Sequence, residues 1–303
     1  MDRSNFIGGS DAAAIIGLSR WGSPLSVWAE KTKQVQPKEL DSEAVELGRE
    51  LEDYVARRFM KKTGKKVRRV NKMLVHKVHP FIGGHIDRDV VGENSIFEAK
   101  TCSAFKAREW ELEEIPAEYV IQAMHYLAVT GADRCYISVL IGNQDFKTKT
   151  IERDEKAIAD LIRREVDFWE RFVVPQVMPM AGPRDKDTLD ELFPVAEEGE
   201  TVELDDKADA IIESLAGLKA DEKSLAGQIA TAENDLRQLI GKAEAGLTPA
   251  MRKVYWGNIH SRRLSTDMVK ERHPGVYEEC ATKKSYRKLI IKELKENDNG
   301  QSE

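Results

Sequence analysis

What this chain lacks narrows its function first. Its 303 residues hold only three cysteines, Cys102, Cys135 and Cys280. An odd, scattered set fits reduced thiols rather than a disulfide framework, and it falls short of the four thiolates that an iron–sulfur cluster usually takes. No apolar run approaches the ~20 residues that cross a bilayer, and the opening MDRSNFIGGSD has no basic segment followed by an apolar one. A cytoplasmic protein is therefore expected. Excess positive charge is missing too: the net charge is -6, so binding a polyanion falls to local basic patches rather than to the field of the whole molecule. With 41% hydrophobic residues the chain is not a disordered one, and it can fill one large domain or two smaller ones.

What is present concentrates between Gly83 and Lys100, in GGHIDRDVVGENSIFEAK. Val, Ile and Phe predict strands over His79–Val91 and Ser95–Thr101, with Gly92, Glu93 and Asn94 as the turn of a hairpin. Side chains alternate along a strand, so Glu98 and Lys100 share one face while Phe97 and Ala99 turn to the core. The hairpin brings Asp87 to that polar face. Two converging carboxylates suit Mg²⁺ or Mn²⁺, which prefer oxygen ligands. An ammonium beside a metal-bound water orients it and offsets negative charge on a phosphate under attack. The competing reading is a cross-strand salt bridge on a solvated face. An acidic residue two before a lysine recurs at Asp145, Asp154, Asp205, Asp221 and Glu293, so that spacing alone marks no site.

Around this hairpin, Ser10 precedes the apolar run that follows Asp11 and reads as a helix N-cap, with a phosphate-binding N-terminus as the alternative. A long helix is expected from about Asp41 to Thr63, with Val45, Leu47, Leu51, Val55 and Phe59 as its buried stripe. Glu52 at the edge of that stripe either faces Asp87 and Glu98 or pairs with Arg49 on the surface. The densest positive patch follows, including Lys65, Lys66, Arg68 and Arg69. It reads equally as a contact for the DNA backbone and as an edge strand protected by cations. A later helix carries Tyr119, Gln122 and Tyr126 on one face. RCYISVLI, residues 134–141, reads as a strand with 146–151 as its hairpin partner, and helix 153–173 closes an α/β core.

Pro175, Pro179, Pro183 and Pro194 mark a change of character. The expected domains are a core over 1–175, an acidic Pro-containing linker over 176–202, a heptad-patterned helical arm over 203–246 and a small strand-helix-strand extension over 247–303. Along the arm, Leu204, Ala208, Ile211, Leu215, Leu218, Leu225, Ile229, Ala232, Leu236, Leu239 and Ala243 recur at coiled-coil spacing, broken once by Glu222 and weakened by Gly217 and Gly227. Such a stripe needs a partner helix in this chain or in another subunit.

Gly48 and Glu52 in ELGRELEDYVARRF, Asp87 in GGHIDRD, Glu98 and Lys100 in IFEAK and Gln122 in YVIQAMHYLAVTG stand in a recognisable order. With the opening IGGSDAAAIIGLSRWGSP, they span about residues 3 to 175, and over that length the chain resembles the YqaJ-like phage recombination nucleases. These are relatives of bacteriophage lambda exonuclease within the PD-(D/E)XK superfamily. One departure is that Ile86, not proline, precedes Asp87. The resemblance implies a mixed sheet flanked by helices and a Mg²⁺-dependent exonuclease running 5′ to 3′ on double-stranded DNA. It implies Asp87, Glu98 and Glu52 as metal ligands, Lys100 and Gln122 as their catalytic partners, and Arg3 and Ser10 as holders of the 5′-phosphate. It further implies a single-strand annealing protein as partner, a homo-oligomer, and a phage or prophage origin. An endonuclease with the same site, and a non-catalytic DNA-binding or assembly module built on the heptad arm, are the competing functions.

Overall fold

The computed structural model describes residues 2–36, 43–111, 115–283 and 285–292. The chain forms two compact units, Met1–Pro194 and Val195–Glu303. In the first, short helices α1 (Gly9–Ile15) and α2 (Pro24–Lys31) precede the long α3 (Glu43–Thr63). Strands β1 (Val67–Arg69), β2 (Leu74–Val75), β3 (Gly83–Gly84), β4 (Arg88–Val90) and β5 (Ser95–Cys102) follow. After α4 (Arg108–Glu111) come α5 (Ala117–Thr130), β6 (Arg134–Ile141), β7 (Asp145–Glu152), α6 (Glu155–Phe168) and α7 (Lys186–Leu192).

The main sheet has the order β1-β4-β5-β6-β7, all antiparallel except the central pair β5 and β6, which run parallel over eight residues. A parallel pair needs a crossover, and α5 supplies it. The mixed α/β class with a central sheet between helices is the expected one. On one face Ile96, Cys135, Ile137 and Val139 pack under α5 and α6, where Leu127, Ile158 and Leu161 meet them. On the other, Phe97, Tyr136 and Phe146 pack against Val55, Ala56 and Phe59 of α3. The central strands are thus buried on both faces, as parallel strands usually are.

Several expectations need correction. The strand expected over His79–Val91 is broken into β3 and β4, because Gly83 and Gly84 pair with β2 and the chain turns at 85–87 before β4 begins. Helix α3 forms, although residues 41–42 lie outside the described residues, and its buried stripe is shorter than expected. Leu47 stays exposed, and burial is confined to Val55, Ala56 and Phe59, where the helix meets the sheet. The cap of α1 is Gly8, whose N–H donates to the Asp11 carboxylate at 2.9 Å. Ser10 is the second residue of the helix, past the position from which a cap hydroxyl acts, and the Asp11 carboxylate instead takes the N–H of the cap residue itself. The first unit also continues past residue 175, since Leu189 and Leu192 of α7 pack with Leu25 and Trp28 of α2. Ser23 donates to the buried Asp185 nearby.

In the second unit, α8 (Asp206–Ile240) is one continuous helix through Gly217 and Gly227, so the two glycines do not interrupt it. Its Ile211, Leu218, Leu225 and Ile229 are exposed in the single chain. A hairpin, β8 (Ala245–Leu247) with β9 (Lys253–Tyr255), and helices α9 (Thr266–Arg272) and α10 (Pro274–Cys280) complete it. The second strand of the expected strand-helix-strand extension does not form: residues 286–291, where Leu289, Ile290 and Ile291 favour it, have no neighbouring strand to pair with among the described residues. Residues 293–303 of the expected extension lie outside the described residues. No described helix is long and apolar enough to cross a membrane.

A buried ion pair joins three elements of the first unit. His125 of α5 and Glu165 of α6 are both fully buried and 2.8 Å apart, and the other imidazole nitrogen lies 3.0 Å from the Gly83 carbonyl of β3. Burial alone lowers the imidazole pKa, but the Glu165 carboxylate and the Gly83 carbonyl outweigh it and raise the value. A raised histidine stabilises fully below its unfolded pKa of about 6.5 and loses that contribution as pH rises through the folded value. We therefore expect His125→Gln to cost about 3–5 kcal/mol in urea unfolding at pH 6, because it strands a buried carboxylate. The His125→Gln/Glu165→Gln double variant should recover part of this and lose the decline of stability above pH 6.5.

Candidate active site

Asp87 occupies the bend that leads into β4, and its Oδ2 accepts the Ala99 N–H at 2.8 Å. That bond fixes the carboxylate one residue from Glu98, on the neighbouring strand. Glu98 is only 3% exposed, and its Oε2 accepts from the Lys100 ammonium at 3.1 Å. Its other oxygen, Oε1, is buried without a hydrogen-bond partner among the described residues. The face carrying Glu98 and Lys100 is therefore not solvated: α5 covers it, and the ring of Tyr119 lies 5.4 Å from Lys100 Nζ. The surface salt-bridge reading falls with that burial.

The electrostatics follow from the crowding. Burial, reinforced by the Asp87 charge, pushes the Glu98 carboxyl up to about 8. Burial works against the Lys100 charge, but Glu98 and Asp87 overcome it and raise its pKa, so the ammonium is retained at neutral pH. Burial and the nearby charge of Glu98 likewise raise the Tyr126 phenol, which stays protonated and able to donate. Glu52 is raised first by burial and then by Asp87.

Glu52 does approach this centre, yet its Oε1 is taken by Arg88 at 2.8 Å, the same guanidinium that holds Asp53 at 2.6 Å. Pairing with Arg49 is thus not what occupies it. Arg88 escaped sequence reasoning. Alternation beside Asp87 was its only signal, placing it opposite Phe97 on the face that α3 covers. Arg88 draws on Glu52, and no described group of three His, Cys, Asp or Glu side chains closes as a ready-made metal cage. The donor set nonetheless fits a hard divalent cation: Asp87 at the bend before β4, Glu98 within β5, Glu52 near by, and one buried Glu98 oxygen with a free lone pair.

Gln122 donates to the Tyr126 hydroxyl at 3.4 Å and lines a cleft of about 410 Å³ together with Ser10, Trp21 and Tyr119. Arg3 reaches Ser10 Oγ at 3.2 Å, so the two residues expected at a 5′-phosphate are brought together at that cleft. Lys31, whose side chain is fully buried, holds this corner by pairing with Asp11 at 2.7 Å and donating to the Arg3 carbonyl at 3.0 Å. The basic patch has a different arrangement. Lys65 pairs with Glu93, Arg68 with Asp89 at 3.2 Å and Arg69 with Asp53 at 2.7 Å, while Lys66 is exposed. Much of its charge is thereby matched by carboxylates along the edge of the sheet.

Comparison with known proteins gives four likenesses. Residues 1–133 match the YqaJ-like viral recombinase domain. Over 298 residues the chain is 35% identical to the uncharacterized protein YqaJ of Bacillus subtilis (strain 168), covering 97% of this chain and 93% of that one. Among solved structures it is similar to an alkaline exonuclease (LHK-Exo) from Laribacter hongkongensis, at 19% identity and a TM-score of 0.49 over 58% of this chain and 91% of that one. A phage related exonuclease from Haemophilus somnus 129PT is similar at 16% identity and a TM-score of 0.43, over 56% of this chain and 96% of that one.

A carboxyl whose folded pKa is raised binds a proton that the unfolded chain releases, so metal-free stability should fall as pH rises from about 4.5 towards 8. Glu98→Gln, which mimics the protonated acid, should flatten that fall in thermal melts in EDTA. Mg²⁺ at 100 times its dissociation constant should stabilise the wild type at pH 8 by about 2.7 kcal/mol and leave Glu98→Gln unmoved.

Proposed function

The chain belongs to the YqaJ-like viral recombinase family, and from that membership we propose that it is a divalent-metal-dependent deoxyribonuclease. It works as an exonuclease, 5′ to 3′ on double-stranded DNA ends, and leaves 3′ single-stranded overhangs for phage-type recombination. The observation that carries the reading is the buried Glu98, with one oxygen lacking a partner among the described residues, beside Asp87 and a retained Lys100 ammonium. The buried His125–Glu165 pair also leaves one carboxylate oxygen without a partner among the described residues, so it is the convergence of Asp87 on Glu98 and Lys100 that favours a metal ligand over a structural pair.

Asp87 and Glu98 would hold Mg²⁺, with Mn²⁺ as substitute, and Glu52 would join them or steady a bound water on release from Arg88. Bound there, the ion supplies Lewis-acid polarisation of the phosphate and a lowered pKa for its water. Hydrolysis joins a water oxygen to phosphorus and breaks the P–O3′ bond in line. Lys100 stays protonated, so it acts as a donor and a positive charge rather than as a general base. It orients the attacking water and offsets the charge that builds on the phosphate. Gln122 aims its amide at the same water or at a phosphate oxygen. Arg3 and Ser10 take the 5′-phosphate, which sets the register of the scissile bond. In this reading Lys66 and its neighbours touch the backbone of the duplex. The 3′ overhang passes to a single-strand annealing protein in the cytoplasm of the host bacterium, and subunits assemble as a homo-oligomer around the DNA.

Linear duplex labelled at either end, with and without 5′-phosphate, tests the reading in Mg²⁺ against EDTA beside a covalently closed circle. Metal-dependent release from the 5′ end, stimulated by the phosphate and absent on the circle, is expected. Lys100→Ala should lower kcat by about 10²–10³-fold while remaining folded. Cleavage of the circle would replace the exonuclease with an endonuclease, and survival of every substrate would remove the enzymatic reading.

A further inference from the structure

Two aromatic side chains outside the hydrophobic core stand largely in solvent. Trp21 is 67% exposed and Phe105 is 99% exposed. The tryptophan is not on a slack loop. The hydroxyl of the buried Ser19 accepts the N–H groups of both Trp21 and Gly22, at 3.1 and 3.2 Å, which fixes the backbone while leaving the indole outward. Two cations flank the ring: the Arg20 guanidinium 6.0 Å and the Lys106 ammonium 5.9 Å from its centre. Arg20 is itself clamped, at 2.8 Å to Glu109 and 2.7 Å to Glu118. Phe105 is the neighbour of Lys106 on the same 3-10 turn, just after β5.

The arrangement leads to the scissile centre. Lys100 Nζ lies 5.4 Å from the Tyr119 ring, and Tyr119 lies 6.4 Å from the Trp21 ring, so the span from ammonium to indole is within a few base rises of about 3.4 Å. Trp21, Tyr119, Gln122 and Ser10 line one cleft. Exposed aromatic faces interleaved with cations are what single-stranded nucleic acid binds, since every base has a π-face and every linkage a negative charge. A folded duplex hides its base faces inside the stack.

We propose that Trp21, flanked by Arg20 and Lys106, is the stacking surface for the terminal base of the strand that enters the cleft, peeled from its complement. This rests on the nuclease reading above and adds to it that the group recognised is an unpaired strand end. Phe105 meets the same single strand beyond Lys106. Arg20 is a positioning residue, holding the indole face open through its ties to Glu109 and Glu118.

The test places 2-aminopurine at the 5′-terminal nucleotide or at an interior position of a phosphorylated duplex, titrated with protein in EDTA so that nothing is cut. Wild type should change the emission of the terminal probe and leave the interior one unchanged. Trp21→Ala should abolish that change and weaken binding about 5- to 150-fold, with Trp21→Phe restoring both. In steady-state cleavage, Trp21→Ala should raise KM on fully paired ends more than on ends with frayed 5′ nucleotides. A folded Trp21→Ala protein that shifts the terminal probe as wild type does overturns the proposal. So does one whose subunit assembly changes without DNA while the probe response stays, since the patch is then a protein contact. The nuclease reading has its own control: wild type that cleaves linear DNA while Trp21 proves indifferent sinks the stacking surface alone, and wild type that never cleaves sinks both.

Discussion

A carboxylate and an ammonium held side by side under a helix gain less from each other than they lose in hydration, unless other groups complete their shells. Glu98 and Lys100 stand in that position on the central strand of the sheet. The first unit is arranged around their deficit. Asp87 is fixed by the Ala99 amide where its charge helps retain the ammonium, and Tyr119 presents a ring face to the same ammonium. Glu98 keeps one oxygen unserved by any described residue. The pair is unbalanced as a structural element and useful as half of a coordination sphere.

The topology explains how so much polarity came to be buried. Because β5 and β6 run parallel, the chain must cross over, and α5 then lies across the face that holds the charges. One helix therefore has two duties. Tyr119, Gln122 and Tyr126 look onto the site, while His125 turns to Glu165 and the Gly83 carbonyl and ties the strand that feeds Asp87 to the body of the fold. The site and the tertiary framework share one helix, which keeps Tyr119, Gln122 and Tyr126 in place over the site.

Elements with a strong local period were legible from the residues alone. β6 and β7, α5 and α6 stand close to where Val, Ile and the three-and-four spacing put them. Legibility failed where non-local contacts override local preference. The His79–Val91 stretch carries strand-forming residues, but two glycines committed to another strand and the bend at Asp87 break it. The Glu98 face looked solvated because charged side chains mark a surface in most strands, and nothing local announces a crossover helix above them. Arg88, Lys31 and His125 act through partners 36, 20 and 40 residues away, at Glu52, Asp11 and Glu165. Spacing rules reach only about four residues along a helix. The heptad stripe was legible as a helix, and its exposure in the single chain leaves what it meets outside the reach of these residues.

The close packing around Tyr126 carries one more consequence. A Cβ built on Gly9 would come within 2.7 Å of the Tyr126 ring, and one on Gly84 within 3.0 Å of the same ring. Neither glycine is required by an unusual backbone angle, since neither has positive φ. Both are small because the tyrosine between them is large. Positions 9, 84 and 126 thus form a single steric unit drawn from α1, β3 and α5, and a change at one has to be answered at another. A Cβ on Gly9 would also come within 3.0 Å of Gln122 Cγ, so the face of α5 that carries Tyr126 and Gln122 lies this close to α1 only in the absence of a methyl group there.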